Sequence, residues 1–228
     1  MSRPILVFGQ SGAGKSYSIK PLPPDKTVVI DADKKSFLPF AGSKKFYGKD
    51  KENFYSTNSL DAITNAIRKI GNEEKFSKIN HLVIDGISKA LTVYEATYNR
   101  RNNPKNNFEA YKMLKEKAVD LFDVAKSQRD NLNVIFIGNV KVADPFQATD
   151  VDRLKVPGNF LKDYEIESDF NYVFYAKVVD RHHFFETYPN RSTAKTPEGS
   201  FPPEIDNDLF YITKKIDAYE SGEESEEV

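Results

Sequence analysis

Four short apolar runs punctuate the first two thirds of the chain: Ile5-Leu6-Val7-Phe8, Thr27-Val28-Val29-Ile30, His81-Leu82-Val83-Ile84 and Val134-Ile135-Phe136-Ile137. None alternates with polar residues, so each reads as a strand covered on both faces, the habit of a parallel sheet between helices. The segments between them change period. Leu60, Ile63, Ile67 and Ile70 recur at helical spacing behind a Ser59 cap, with Gly71 as the stop. Ile87, Leu91, Tyr94 and Tyr98 mark a second helix, interrupted over the polar stretch 99–107. Phe108, Tyr111, Leu114, Ala118, Leu121 and Ala125 mark a long third one with a charged outer face.

The remaining stretches are shorter or less regular. Tyr17-Ser18-Ile19-Lys20 fits one short helix, ended by Pro21, Pro23 and Pro24. Residues 34–54 read as loop with a short strand at Lys45-Phe46-Tyr47, and 141–163 as a long loop. Residues 172–178 and 183–187 suggest a hairpin turning at 179–182, whose His182 and His183 read as structural. The pattern predicts an α/β domain over 1–215: a mostly parallel central sheet, helices on both faces and a β-rich C-terminal part. Residues 216–228 read as an acidic, disordered tail.

Chemistry enters directly after the first apolar run. Gly9-Gln10-Ser11-Gly12-Ala13-Gly14-Lys15-Ser16 matches the phosphate-binding loop G-x-x-x-x-G-K-[ST] without a gap, between a strand and a helix as the motif requires. Its glycines let the backbone approach a polyphosphate, and its amides point inward as an anion nest. Lys15 would reach the β- and γ-phosphates of ATP, and the Ser16 hydroxyl would hold Mg²⁺. Two further strands end in carboxylates, Asp31 and Asp33 after the second and Asp85 after the third. Carboxyl ends of parallel strands are where open α/β sheets bind ligands. Asp85 downstream of a phosphate loop has the Walker B arrangement and would share the Mg²⁺ with Ser16. Asn139 ends the fourth strand, where an amide either senses the γ-phosphate or caps a turn.

Composition narrows the classes. With 228 residues the chain is long enough for one core. It has no cysteine and three histidines, which excludes disulfides and thiolate metal sites and fits a cytoplasmic protein. No apolar stretch approaches a membrane span and no leader is expected. Net charge is −1, yet five of the last nine residues are Glu, and setting them aside leaves 33 basic against 29 acidic residues. A basic body with an acidic end is compatible with a nucleic-acid partner. Arg100, Arg101 and Lys105 lie in the polar break, and Lys141, Arg153 and Lys155 in the long loop, a mixture suited to a single strand's backbone. Arg191 and Lys195 are either surface cations or residues that reach a neighbour's nucleotide.

The order of these parts resembles the RecA-like P-loop ATPase core. The family's strand end Ile-Asp-Ala-Glu is similar to Ile30-Asp31-Ala32-Asp33, which implies that Asp33 activates the attacking water. Its amide-ended strand is similar to Ile135 to Asn139, and its two DNA-binding loops fall at residues 100–107 and 141–155. Over roughly residues 4–215 the chain looks like the short, phage-encoded, core-only annealing ATPases. Pro157-Gly158-Asn159-Phe160, Phe170-Asn171-Tyr172-Val173 and Arg191 with Ala194-Lys195 carry that likeness in the C-terminal part. The resemblance implies an ATP- and Mg²⁺-dependent ATPase that binds single-stranded DNA in phage recombination. Its partners would be further copies of itself and a single-strand-binding or other replication protein. A P-loop kinase and a nucleotide-gated loader that barely hydrolyses are the alternatives. Asp33 is one methylene shorter than the family's Glu, and Asn139 is shorter than its Gln.

Overall fold

The computed structural model describes residues 2–102, 108–157 and 164–222. The chain begins with strand β1 (Arg3–Gly9), reaches β2 (Thr27–Asp31), a one-turn helix α1 (Ser43–Phe46) and β3 (Phe54–Ser56), and continues through α2 (Leu60–Asn72), β4 (His81–Asp85), α3 (Ile87–Asn102) and α4 (Phe108–Lys126). Strands β5 (Asn133–Lys141), β6 (Arg153–Leu154), β7 (Tyr172–Val179), β8 (His182–Glu186) and β9 (Glu204–Asp206) precede helix α5 (Leu209–Ser221). The sheet runs β3-β2-β4-β5-β1-β7-β8-β9, with β6 on the extension of β5. From β3 to β7 every pairing is parallel, and β8 and β9 are antiparallel.

Why the four runs are apolar throughout is visible in the core. Leu6, Phe8, Val28 and Ile30 face a cluster closed by α2, α3 and α4. Their neighbours Ile5, Val7 and Val29 face the opposite cluster, closed by Leu209, Ile212 and Ile216 of α5. The register sets Asp31 level with Asp85, and Gly9 level with Asn139, so four chemically useful strand ends share one edge.

Several boundaries differ from the sequence reading. The strand expected at Lys45-Phe46-Tyr47 is the helix α1 and its cap: Ser43 and Tyr47 are the buried pair, four apart as in a helix turn, and the edge strand is β3 instead. The turn after the phosphate loop is a single 3-10 turn, Tyr17–Ile19. Helix α3 absorbs Asn99, Arg100 and Arg101, because its second half lies against α4 and the Asn102 amide back-bonds to the Tyr98 carbonyl at 3.0 Å. Lys141 and Arg153 pair in a short ladder rather than a loop, tied by Lys155 N–H to the Asn139 carbonyl at 2.6 Å. The hairpin turns on two residues, Asp180 and Arg181, both left-handed at φ 50° and 68°.

The expected tail begins too early. Residues 216–221 continue α5: Ile216 is fully buried, and Arg3 pairs with Asp217 and with Glu220 at 2.7 Å. Residues 223–228 lie outside the described part, as does most of Pro157-Gly158-Asn159-Phe160.

One buried group gives the fold a pH dependence. His81 is 6% exposed, its Nδ1 has no hydrogen-bond partner, and its ring meets Phe210 edge-on. Burial lowers its pKa to about 4; the Asp217 charge opposes this and Lys214 and Lys26 reinforce it. The unfolded chain binds this proton near pH 6.5 and the folded chain only near 4, so stability is full above 6.5 and falls toward 4. The loss is expected to reach about 3 kcal/mol. Urea titrations at several pH values check it: His81→Gln should flatten the wild-type slope in that window, and an equal slope would remove His81 as the cause.

Candidate functional site

β1 ends at Gly9 and the chain curls over the sheet edge. Gly12 and Gly14 sit at φ 85° and 88°, a region that strains any residue with a Cβ. The Ala13 amide bonds to the Gln10 carbonyl and the Ser18 amide to the Gly14 carbonyl, closing the loop. Lys15 folds back across it, its Nζ donating to the carbonyls of Gly9 (2.9 Å) and Gln10 (2.7 Å). Burial lowers the Lys15 pKa to about 8, with Asp85 acting upward and Lys35 downward. The loop is braced from outside by the far end of the chain: Asn207 Nδ2 donates to the Ala13 carbonyl, and Asn207 and His183 crowd Gly14.

The acidic side of the site comes from β2 and β4. Asp85 is buried; burial raises its pKa, while the Ser16 hydroxyl, donating to its carboxylate, and the Lys35 charge lower it. Ala32 N–H donates to the Asp85 carbonyl at 2.7 Å, stitching the β2 loop to the end of β4. Asp31 is buried and accepts from the Ser36 amide at 2.8 Å, drawing residues 31–36 into a tight turn. In that turn Lys34 and Ser36 are both left-handed, at φ 59° and 69°. Non-glycine residues held so are strained, and such strain gathers at functional sites. Asp33 stands above Gly86 and pairs with Lys35 at 2.7 Å.

These groups converge on one cavity of about 800 Å³ at the carboxyl edge. Ser11, Gly12, Gly14, Lys15 and Ser16 line it from the loop, Asp33 and Asp85 from the neighbouring strands, and Asn139 from β5. Gly9, Gln10, Asp33 and Asn139 also line an adjoining groove that carries Lys35, Lys89 and Lys155. Asn139 is exposed to this space, while its backbone N–H donates to Ser88 Oγ at 3.0 Å.

The basic candidates separate. Lys141 and Lys155 are exposed at the same edge, beyond Asn139. Arg100 and Arg101 are exposed in the last turn of α3, where Arg101 shares a cavity with Asn58, Ser59 and Asp61, just past β3. Arg153 is half-buried and paired with Asp150 at 2.9 Å, which leaves it less available to an external anion. Lys105 lies outside the described residues. Arg191 and Lys195 do not line this cavity, and Lys195 lines a separate one with Arg153 and Glu167.

The lining side chains missed by sequence reasoning include Lys35, Tyr17, Phe37 and His183, and Gly86 was missed with them. Lys35 follows a strand-end carboxylate by two residues, which is a signal of position but not of direction. Tyr17 and Phe37 are 46% and 52% exposed, and the sequence placed them only in a short helix and in the 34–54 loop. His183 reaches the loop only because β8 lies beside β7 and β7 beside β1, a tertiary fact no local pattern carries.

A family model described as an AAA domain matches residues 1–199. No curated protein matches the chain in sequence. Among solved structures, the flagellar accessory protein FlaH from Methanocaldococcus jannaschii is similar at 11% identity, covering 89% of this chain and 83% of that one, with a TM-score of 0.42.

Proposed function

The chain belongs to the AAA-domain family of P-loop ATPases, and from that premise we propose that it is an ATPase whose nucleotide state governs its grip on single-stranded DNA during strand annealing or pairing. The observation that carries the reading is the convergence of Lys15, Ser16, Asp85 and Asp33 on one cavity at the carboxyl edge.

Magnesium fits the residues present. The Ser16 hydroxyl and the buried Asp85 carboxylate are adjacent hard oxygen donors, and Mg²⁺ in phosphate sites is held by one or two such groups together with phosphate oxygens. When bound, it supplies charge neutralisation to the β- and γ-phosphates. The chain's own residues do the rest. The loop amides and Lys15 cradle the phosphates and favour the charge that develops as the γ-phosphoryl group transfers. Asp33 accepts a proton from water as the water oxygen bonds to the γ-phosphorus. The bond from that phosphorus to the bridging oxygen breaks, ADP leaves, and the proton passes to the released phosphate.

Support for the DNA half is positional. Exposed Lys141 and Lys155 stand at the edge that holds the cavity, and exposed Arg100 and Arg101 end α3, where Arg101 borders a separate cavity just past β3. The Asn139–Lys155 backbone bond gives a γ-phosphate sensor a direct mechanical link to the β6 segment. The deciding experiment measures phosphate release from ATP with and without a single-stranded oligonucleotide, with product analysis. Free phosphate released faster on the oligonucleotide is expected, and a phosphorylated small-molecule acceptor would make the protein a kinase instead. Changing Arg100, Arg101, Lys141 and Lys155 together to Ala should weaken oligonucleotide binding at least about tenfold and flatten its dependence on salt. Unaltered affinity in that variant would remove the DNA interface from this edge.

A further inference from the structure

We propose that Lys35 is a second, in-cis cation of the phosphate site, one that engages the γ-phosphate and is released to it by Asp33. The inference rests on the nucleotide reading above and names a residue that the phosphate-loop motif does not contain.

Three observations carry it. Lys35 lines the same cavity as Lys15, Ser16 and Asp85, and also lines the adjoining groove, so its side chain stands where the two spaces meet. Its position is built: left-handed backbone at Lys34 and Ser36, the Ser36 amide on buried Asp31, and Ala32 tied to the Asp85 carbonyl together aim a 57% exposed side chain inward over the edge. Its ammonium rests on Asp33 at 2.7 Å, the carboxylate proposed to activate water.

The pairing is also consistent with the charges around it. Burial alone would lower the Lys35 pKa, yet the Asp33 hydrogen bond and the Asp85, Asp33 and Asp31 charges outweigh it and hold the ammonium charged. A triphosphate brings oxygens that compete with Asp33 for this ammonium. Once Lys35 turns to the γ-phosphate, Asp33 loses its cation and faces the water as a free base. A diphosphate lacks the γ-oxygens and leaves the pair intact. Cation and base are thereby readied by one event, and only when the γ-phosphate is present. A short Asp rather than a Glu at position 33 suits a carboxylate that also parks a neighbouring lysine.

The test compares wild type, Lys35→Met and Lys35→Arg by calorimetric titration with Mg-ADP and Mg-ATP, alongside phosphate release. In Lys35→Met, ATP affinity should fall about tenfold while ADP affinity stays within about twofold, and kcat should fall by about 10²-fold, the scale of a lost transition-state donor. Lys35→Arg should recover part of the ATP preference. Because the side chain is largely exposed, the melting temperature should be unchanged, which excludes misfolding. An ATP-to-ADP affinity ratio equal to wild type overturns the assignment, and so does a faster rate, which would make Lys35 only a restraint on Asp33. Wild type silent to both nucleotides would instead overturn the nucleotide reading itself, and this assignment with it.

Discussion

Replacing Lys15 with alanine is expected to reduce phosphate release by about 10²–10³-fold and to weaken nucleotide binding at the same time. The side chain is the buried cation of the cavity, and its two present acceptors are the Gly9 and Gln10 carbonyls, which it can exchange for phosphate oxygens. Phosphoryl transfer is driven by positioned charge more than by covalent help, so losing this charge affects ground state and transition state together. The fold should survive. Burying an ammonium whose pKa has dropped to about 8 carries a cost, and its removal relieves that cost. Lys15→Arg should not rescue, because a planar fork cannot occupy the pocket of a compact ammonium. Rates and melting temperatures of the two variants check this, and a near-wild-type rate in Lys15→Ala would place the reacting phosphate elsewhere.

Gly86→Ala should give the other large effect, with a different signature. Gly86 is at φ 102°, and a Cβ there would stand 2.7 Å from Asp33 Oδ1 and 2.9 Å from the Asp33 amide nitrogen. A backbone atom cannot step aside as a flexible side-chain end can, so the whole Asp33–Lys35 turn must shift. A displacement of about 1 Å at a reacting group costs on the order of 10²-fold in rate. The strained φ adds a stability loss of about 1–2 kcal/mol. The Asp33–Lys35 turn is held by bonds to Asp31, Asp33 and the Asp85 carbonyl rather than by the loop amides that cradle phosphate, so ADP affinity should stay close to wild type while kcat falls. Lys15→Ala loses both. Parallel ADP titration and steady-state rates separate them; a Gly86→Ala enzyme that turns over normally would show that Asp33 does not act in the reaction.

Legibility divides along physical lines. The buried strands and the helices at 60–72 and 108–126 were plain in the sequence, because burial on two faces or one leaves a periodic trace. That Lys15, Ser16 and Asp85 share one cavity was legible for a related reason: the phosphate-loop pattern fixes its residues beside one strand end, and Asp85 ends another strand of the same sheet. What failed was set by contacts from afar. A polar run, Asn99 to Arg101, stays helical because α4 lies alongside it, and Lys141 with Arg153 forms a ladder because Asp152 anchors it through the Tyr175 hydroxyl at 2.6 Å. Ile216 belongs to the core through a helix whose last turns run straight into the Glu-rich end of the chain, so composition alone assigned those turns to a tail. Lys35 and His183 entered the site through backbone direction and sheet order, which local pattern does not carry.

The central claim, that a Mg-nucleoside triphosphate sits on the carboxyl edge of the sheet, is tested most directly by calorimetric titration of the purified chain with Mg-ATP. Saturable heat at about one nucleotide per chain, lost in Lys15→Ala, is the expected result. Absence of heat with Mg-ATP and with the other three Mg-nucleoside triphosphates would contradict the account.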